Sequence, residues 1–183
     1  MICQTTDTTQ IIKVNKEDMQ ALFVTREDIV KFTAMNGNVD TDKFIASIKI
    51  AQDIHIQNYL GTKLFNKIND DIVAGTLASP YTTLLSKYIK PMVIHFAMVE
   101  YLPFAAYTIA NKGVYKHNSE NSINAEKNEI DFLVEKERNI AEHYTKRFID
   151  FMSYNQASFP EYYLNSNGDM YPDSDANFTG WVL

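Results

Sequence analysis

A chain of 183 residues with 17 Lys and Arg against 23 Asp and Glu carries a formal net charge of −6, which argues against a nucleic-acid groove as its main working surface. One domain of this length buries roughly 70% of its unfolded surface and needs no staples, and the single Cys3 excludes both an intramolecular disulfide framework and a cysteine zinc cluster. Aromatic residues make up 13% of the chain, enough to furnish interfaces as well as a core.

Residues 1 to about 20 have no helical period. No basic stretch followed by an apolar one opens the chain, so no secretory signal is expected, and Thr9 to Asn15 reads as a short extended segment in a polar arm. Thr25-Arg-Glu-Asp28 has the form of a capping box, and Ile29, Val30, Phe32 and Met35 follow before Asn36-Gly37 stops a helix of about three turns. Asp40 or Thr41 caps a second helix that runs to Gly61. Phe44, Ile48, Ala51, His55 and Tyr59 form one stripe on it, and Ile50, Ile54 and Gln57 another, so it needs two partners. One is the apolar helix that follows; the other is a further part of this chain or a neighbouring copy. GTKLFNKINDDIVAGT gives a short helix with Leu64, Phe65, Ile68 and Ile72 inward, ended by Gly75.

The stretch from Ser79 to Lys112 is apolar on most sides, with Ser79 placed as N-cap and Pro80 in the first turn. A helix apolar all round is a buried one, kinked or broken near Pro91 and Pro103. Pro91 to Ala110 is long enough to span a membrane, but His95, Glu100 and the two prolines favour a core helix, and no membrane is expected. Asn111 to Ser122 has loop chemistry. From about Ala125 to Tyr154, Ile130, Leu133, Ile140, Tyr144, Phe148 and Phe151 recur at helical spacing, giving an amphipathic helix of about 45 Å that outreaches so small a core and leaves one end free.

Asn155 closes that helix. Phe159-Pro160-Glu161-Tyr162-Tyr163 then packs aromatics around a proline, and an acidic tail ends in Trp181-Val182-Leu183, the form of a docking peptide or of a Trp that folds back on its own core. These elements predict an all-α fold: a helical bundle around a long apolar central helix, with extended N- and C-terminal arms. The domain boundaries follow as an N-terminal arm at 1–20, a helical domain at 21–158 and a C-terminal docking arm at 159–183.

No catalytic, cofactor or metal constellation emerges, and an enzyme is not expected. His55, His95, His117 and His143 are widely spaced, with no Cys or acidic partner at metal-ligand spacing. His95 reads as a hydrogen-bonded core histidine. Glu100 lies about 140° around the helix from it, so the two do not readily converge. Glu100, in an apolar helix, is the best single candidate for a perturbed carboxylate, with a structural partner such as a Lys or Tyr as the commoner explanation. The glycines are scattered, and the aspartates after Asn165 lack the Glu that a calcium loop needs.

The order of these pieces resembles the head-to-tail connector proteins of tailed bacteriophages, also called adaptor or neck ring proteins. The resemblance rests on the capped helix at Thr25-Arg-Glu-Asp28, AQDIHIQNYLGTKLFNKI, the long apolar helix, the GVYKHNSENS loop and RFIDFMSYN before FPEYY, and covers about residues 22 to 165. It implies an α-helical virion protein, made in the host cytoplasm and residing at the head-tail junction. Such a protein forms a ring, typically of twelve copies, that binds the portal protein, presents a surface to the next neck or tail protein and extends a channel through which DNA passes without sequence-specific contacts. An acidic chain suits such a channel, since a basic wall would retain the DNA. On this reading the partner-binding residues are Trp181, Val182 and Leu183 as an anchor, Phe159, Tyr162 and Tyr163 as a second aromatic contact, and a loop carrying Tyr115 and His117. The alternative is a helical ligand-binding or enzymatic domain with a pocket near His95 and Glu100.

Overall fold

The computed structural model describes residues 20–35, 41–105, 107–110, 113–116, 126–164 and 169–176. They are mostly helical. Helix α1 spans Arg26–Phe32 and begins with the expected capping box, the Thr25 side chain accepting from the Asp28 amide while the Asp28 carboxylate accepts from the Thr25 amide. Helix α2, Thr41–Ala51, widens through one π turn, Gln52–Ile56, into α3, Gln57–Ala74. Gly61 interrupts α3 at φ 70°, ψ 157°, and Gly75 ends it in the left-handed conformation at φ 68°. Leu64, Phe65 and Ile68 are buried, and Ile72 packs against them.

The next helical run begins at Tyr81, not at a Ser79 cap: the first amides go to the carbonyls of Ala78 and Pro80. Helix α4, Tyr81–Leu84, passes through a π turn, Leu85–Ile89, into α5, Lys90–Tyr101. Pro91 has no amide to donate back along the helix, and the widened turn falls just before it. Met92, Val93, Ile94, Phe96, Ala97, Met98 and Val99 are all buried, and α5 packs against both α2 and α6. No helix among the described residues is long and apolar enough to cross a membrane.

The helix does not continue to Lys112. It tightens into a single 3-10 turn at Leu102–Phe104, where Pro103 has no amide to add to the helical ladder. The chain then forms a hairpin of β1, Tyr107–Ala110, and β2, Gly113–Lys116, antiparallel and paired from Tyr107 with Lys116 to Ala110 with Gly113. Tyr107-Thr-Ile and Val114-Tyr are β-branched and aromatic runs, better suited to a strand than to a helix.

Helix α6, Lys127–Tyr154, opens with a second capping box, Glu126 and Glu129, and is closed by Asn155, whose side chain donates to the Phe151 carbonyl at 2.7 Å. Its buried residues, Ala141, Thr145, Phe148 and Met152, all lie in its second half. Leu133, expected on the inward stripe, is exposed, because α5 ends before reaching it.

The FPEYY segment is the largest departure from the expected C-terminal arm. Phe159 is fully buried and meets Tyr81 and Phe151 edge-on at 5.4 and 5.9 Å. Tyr162 is buried against Phe148 within the short α7, Pro160–Tyr163, and the Tyr81 hydroxyl donates to the Glu161 carboxylate at 2.6 Å. Each buried aromatic stabilises the fold by about 2 kcal/mol, more than an exposed position on an arm offers. The helical domain therefore extends past residue 158. Further on, the Thr62 amide donates to the Met170 carbonyl at 3.0 Å and the Asp173 amide to the Asn58 carbonyl at 2.9 Å. Residues 169–176 thus include a strap that supplies partners for backbone groups left open by the break at Gly61. The arm at 1–19 lies outside the described residues.

Two core tyrosines make the fold alkali-sensitive. Burial, reinforced by Asp173, Glu142 and Asp175, raises Tyr59 to about 12, and burial with Tyr163 and Asp173 raises Tyr162 to about 12. Both hold their protons more tightly folded than unfolded. The stability they contribute is full below about pH 10 and is lost as pH rises toward 12. Loss of helical circular dichroism should therefore coincide with the last step of tyrosine ionisation in that window; a chain still helical with every tyrosine ionised would contradict this.

Candidate assembly surface

Two histidine–glutamate pairs fix the faces on which anything else can bind. His55, in the π turn after α2, meets Glu100 of α5 at 2.9 Å with its ring stacked 4.3 Å from Phe96. That hydrogen bond, aided by the electrostatic influence of His55 and Arg138, holds the Glu100 carboxyl below its ordinary range against the opposing effect of burial. His95 meets Glu137 of α6 at 2.7 Å and stacks on Tyr144 at 5.6 Å. Glu100 thus has a histidine partner, not the expected Lys or Tyr, and each pair clamps α5 to a neighbour. The pocket expected around His95 and Glu100 together is not formed. His95 lines a cleft with Lys31, Phe32 and Lys90, while Glu100 lines another with Ile54, Arg138 and Glu142. No group of three metal-ligating side chains occurs among the described residues.

Besides Phe32 and Ile54 in these clefts, large apolar side chains are exposed at several other places, among them Tyr154, Leu164 and Tyr171 toward the C-terminal end and the start of α6. Helices α5 and α6 run antiparallel: Tyr88 stacks on Phe151 at 4.2 Å, and seven residues on, His95 stacks on Tyr144, seven residues back. Continuing that register, the first turns of α6 reach past the end of α5, and the Leu102–Phe104 turn packs against α6. This projecting tip leaves Phe104 68% and Phe132 65% exposed, with Leu133 at 45%. Phe132 and Leu133 line an open cleft with Asn128 and Glu129.

A second apolar feature lies between α1 and α2. Leu22, Val24, Ile29, Val30, Phe44 and Ile45 line a groove of about 140 Å³, with Arg26 at its edge. Beside it, Phe32 is 58% exposed under the Lys31 ammonium, 5.4 Å from the ring centre. On α2 the stripe of Phe44, Ile48 and Ala51 is buried, while of the second stripe Ile50 on α2 and Ile54 in the π turn are exposed.

Of the residues expected to bind partners, Phe159 and Tyr162 are core residues and present no face to a neighbour. Tyr163 is 40% exposed and its hydroxyl donates to the Met152 carbonyl. The backbone of Tyr115 lies in β2. His117, Trp181, Val182 and Leu183 lie outside the described residues. The sequence reading passed over Phe104 and Phe132. Phe132 carried a signal: an aromatic beside Asp131, off the stripe that runs from Ile130 to Phe151.

A family model described as a family of unknown function (DUF6712) matches residues 56–172. The match runs from the π turn before α3 through the tip to Pro172 of the strap, and leaves the α1–α2 groove outside it. No curated protein and no solved structure matches the chain.

Proposed function

The chain belongs to the DUF6712 family, and we propose that it is a virion structural protein, a head-to-tail connector whose copies close into a ring between the portal protein and the next neck or tail protein. The observation that carries this reading is the exposure of Phe132 and Leu133 at the start of α6 and of Phe104 on the turn after α5. Large apolar groups grouped on a projecting element mark an interaction site. The resemblance to connector proteins supports the same reading. On it, the run from Tyr81 to Tyr101 is the long apolar helix around which the bundle is organised, DNA passes through the ring without sequence-specific contacts, and the protein resides at the head-tail junction. Residues 1–19 and 177–183 serve as arms, with Trp181, Val182 and Leu183 as an anchor and Tyr115, on β2, together with His117 as a further contact.

The test is the mass of the purified 21.0 kDa chain, alone and mixed with the portal encoded by the same genome. A large closed complex in the presence of the portal is the expected result. A monomer that ignores the portal at every concentration would overturn the proposal. Truncation after Ala176 spares the strap, so it should leave the helical fold intact and weaken assembly.

A further inference from the structure

We infer that the segment after Ala176 runs on beside the π turn that follows α2 and seats Trp181 in the cleft next to the His55–Glu100 pair of the same chain. This goes beyond the ring reading and does not depend on it, because the contact lies within one copy. A partner can draw Trp181 out only by binding it more tightly than the cleft does.

The strap sets the direction. Met170 is bonded to Thr62, and three residues later Asp173 is bonded to Asn58, four residues back, so the strap runs antiparallel to the start of α3. Asp173 and Asp175 both act on the hydroxyl of Tyr59, a residue that lines the cleft. Ile54, 60% exposed on the cleft wall, lies four residues before Asn58, about 6 Å along the helix and in the direction in which the strap travels. Trp181 comes five residues after Ala176, a reach of up to about 17 Å.

Size and polarity select the occupant. At about 250 Å³ the cleft falls below the usual range of small-molecule sites and suits one large side chain, laid over Phe96 and Val99. Glu100 and Glu142 stand at its rim with Asp173 and Asp175 close by, while Arg138 already has a partner. An acidic segment would be repelled there, but no side chain from Ala176 to Leu183 is charged. The indole N–H, which needs an acceptor once buried, can donate to the Glu142 carboxylate. Reach, more than exposure, chooses this seat. Along α6, Leu133, Phe132 and Tyr154 lie about 13 Å or more from Glu142. Leu164, whose carbonyl accepts from Lys63, and Tyr171 lie behind the strap's direction of travel. The α1–α2 groove, with Ile45 and Ile48, lies farther along α2, beyond the cleft.

Trp181 is the single tryptophan, so the intact chain reports on it directly. Its fluorescence should be blue-shifted and shielded from acrylamide, and should stay so on dilution. Ile54→Asp, at an exposed position, should move the emission to that of free tryptophan and raise acrylamide quenching several-fold while helical circular dichroism is unchanged. Ile45→Asp, in the α1–α2 groove, should leave the emission as in the parent. A nuclear Overhauser contact between the indole and the Ile54 methyls should appear in the parent chain without any substitution. Parent emission like that of free tryptophan, a shift caused by Ile45→Asp in place of Ile54→Asp, or a blue shift lost on dilution would overturn the contact. None of these touches the ring reading, which stands or falls on the mass of the chain with the portal.

Discussion

Replacing Gly61 with alanine should destabilise the protein by about 3 to 5 kcal/mol, a large part of the stability of a domain this size. Two costs combine. At φ 70° and ψ 157° the backbone occupies a region open essentially to glycine alone, and holding an L-residue there costs on the order of 1–3 kcal/mol. The added Cβ would also stand 2.7 and 2.8 Å from Cδ and Cγ of Pro172 and 3.0 Å from its nitrogen. Pro172 cannot simply swing away, because Met170 and Asp173 on either side are hydrogen-bonded to Thr62 and Asn58. Denaturant midpoints should report the loss. In a Pro172→Ala background the steric cost should shrink and the backbone cost remain, so Gly61→Ala should still lose at least about 1 kcal/mol there. A midpoint unchanged by Gly61→Ala would show that the strap is not held against the helix break.

That site illustrates what a sequence discloses. Gly61 and Gly75 were legible as helix ends, as were the capping box at Thr25 and Asp28 and the stop at Asn155, because each is decided by its own residue and the next few. The strap was not legible. Its hydrogen bonds join Met170 to Thr62 and Asp173 to Asn58 across more than a hundred residues, and polar composition alone suggested a free tail. The same holds for His55 with Glu100 and His95 with Glu137, partners 45 and 42 residues apart. Helical spacing correctly kept His95 and Glu100 apart, but it could not name the helix each faces. In the candidate surface, the length of α6 announced a free end, while the end of α5 decided which apolar residues that end exposes. Pro103 was legible as a kink or break, yet the density of apolar residues beyond it carried the expected helix on to Lys112, where Tyr107–Ala110 and Gly113–Lys116 pair as strands.

Gln52 is the polar residue on which the groove depends, and replacing it with leucine should cost about 2 to 4 kcal/mol despite a similar volume. It is fully buried in the π turn after α2, its Oε1 accepting from the Phe23 amide at 2.7 Å and its Nε2 donating to the Ala21 carbonyl at 3.0 Å. Leucine leaves both backbone groups without a partner where water does not reach the Phe23 amide. Gln52→Glu supplies a sharper signature. Its carboxylate can still accept from Phe23, but only a protonated carboxyl can donate to Ala21, so the folded state favours the protonated form and raises the pKa above the ordinary value of about 4.3. The penalty is therefore small below about pH 4 and grows as pH rises above it. Unfolding at pH 4 and pH 7 should show a wider gap from the parent protein at pH 7; equal gaps would place the Ala21 carbonyl out of reach of this side chain. Leu22 and Val24, which line the groove, flank the Phe23 amide that Gln52 holds. Either variant should consequently loosen the groove before it unfolds the domain.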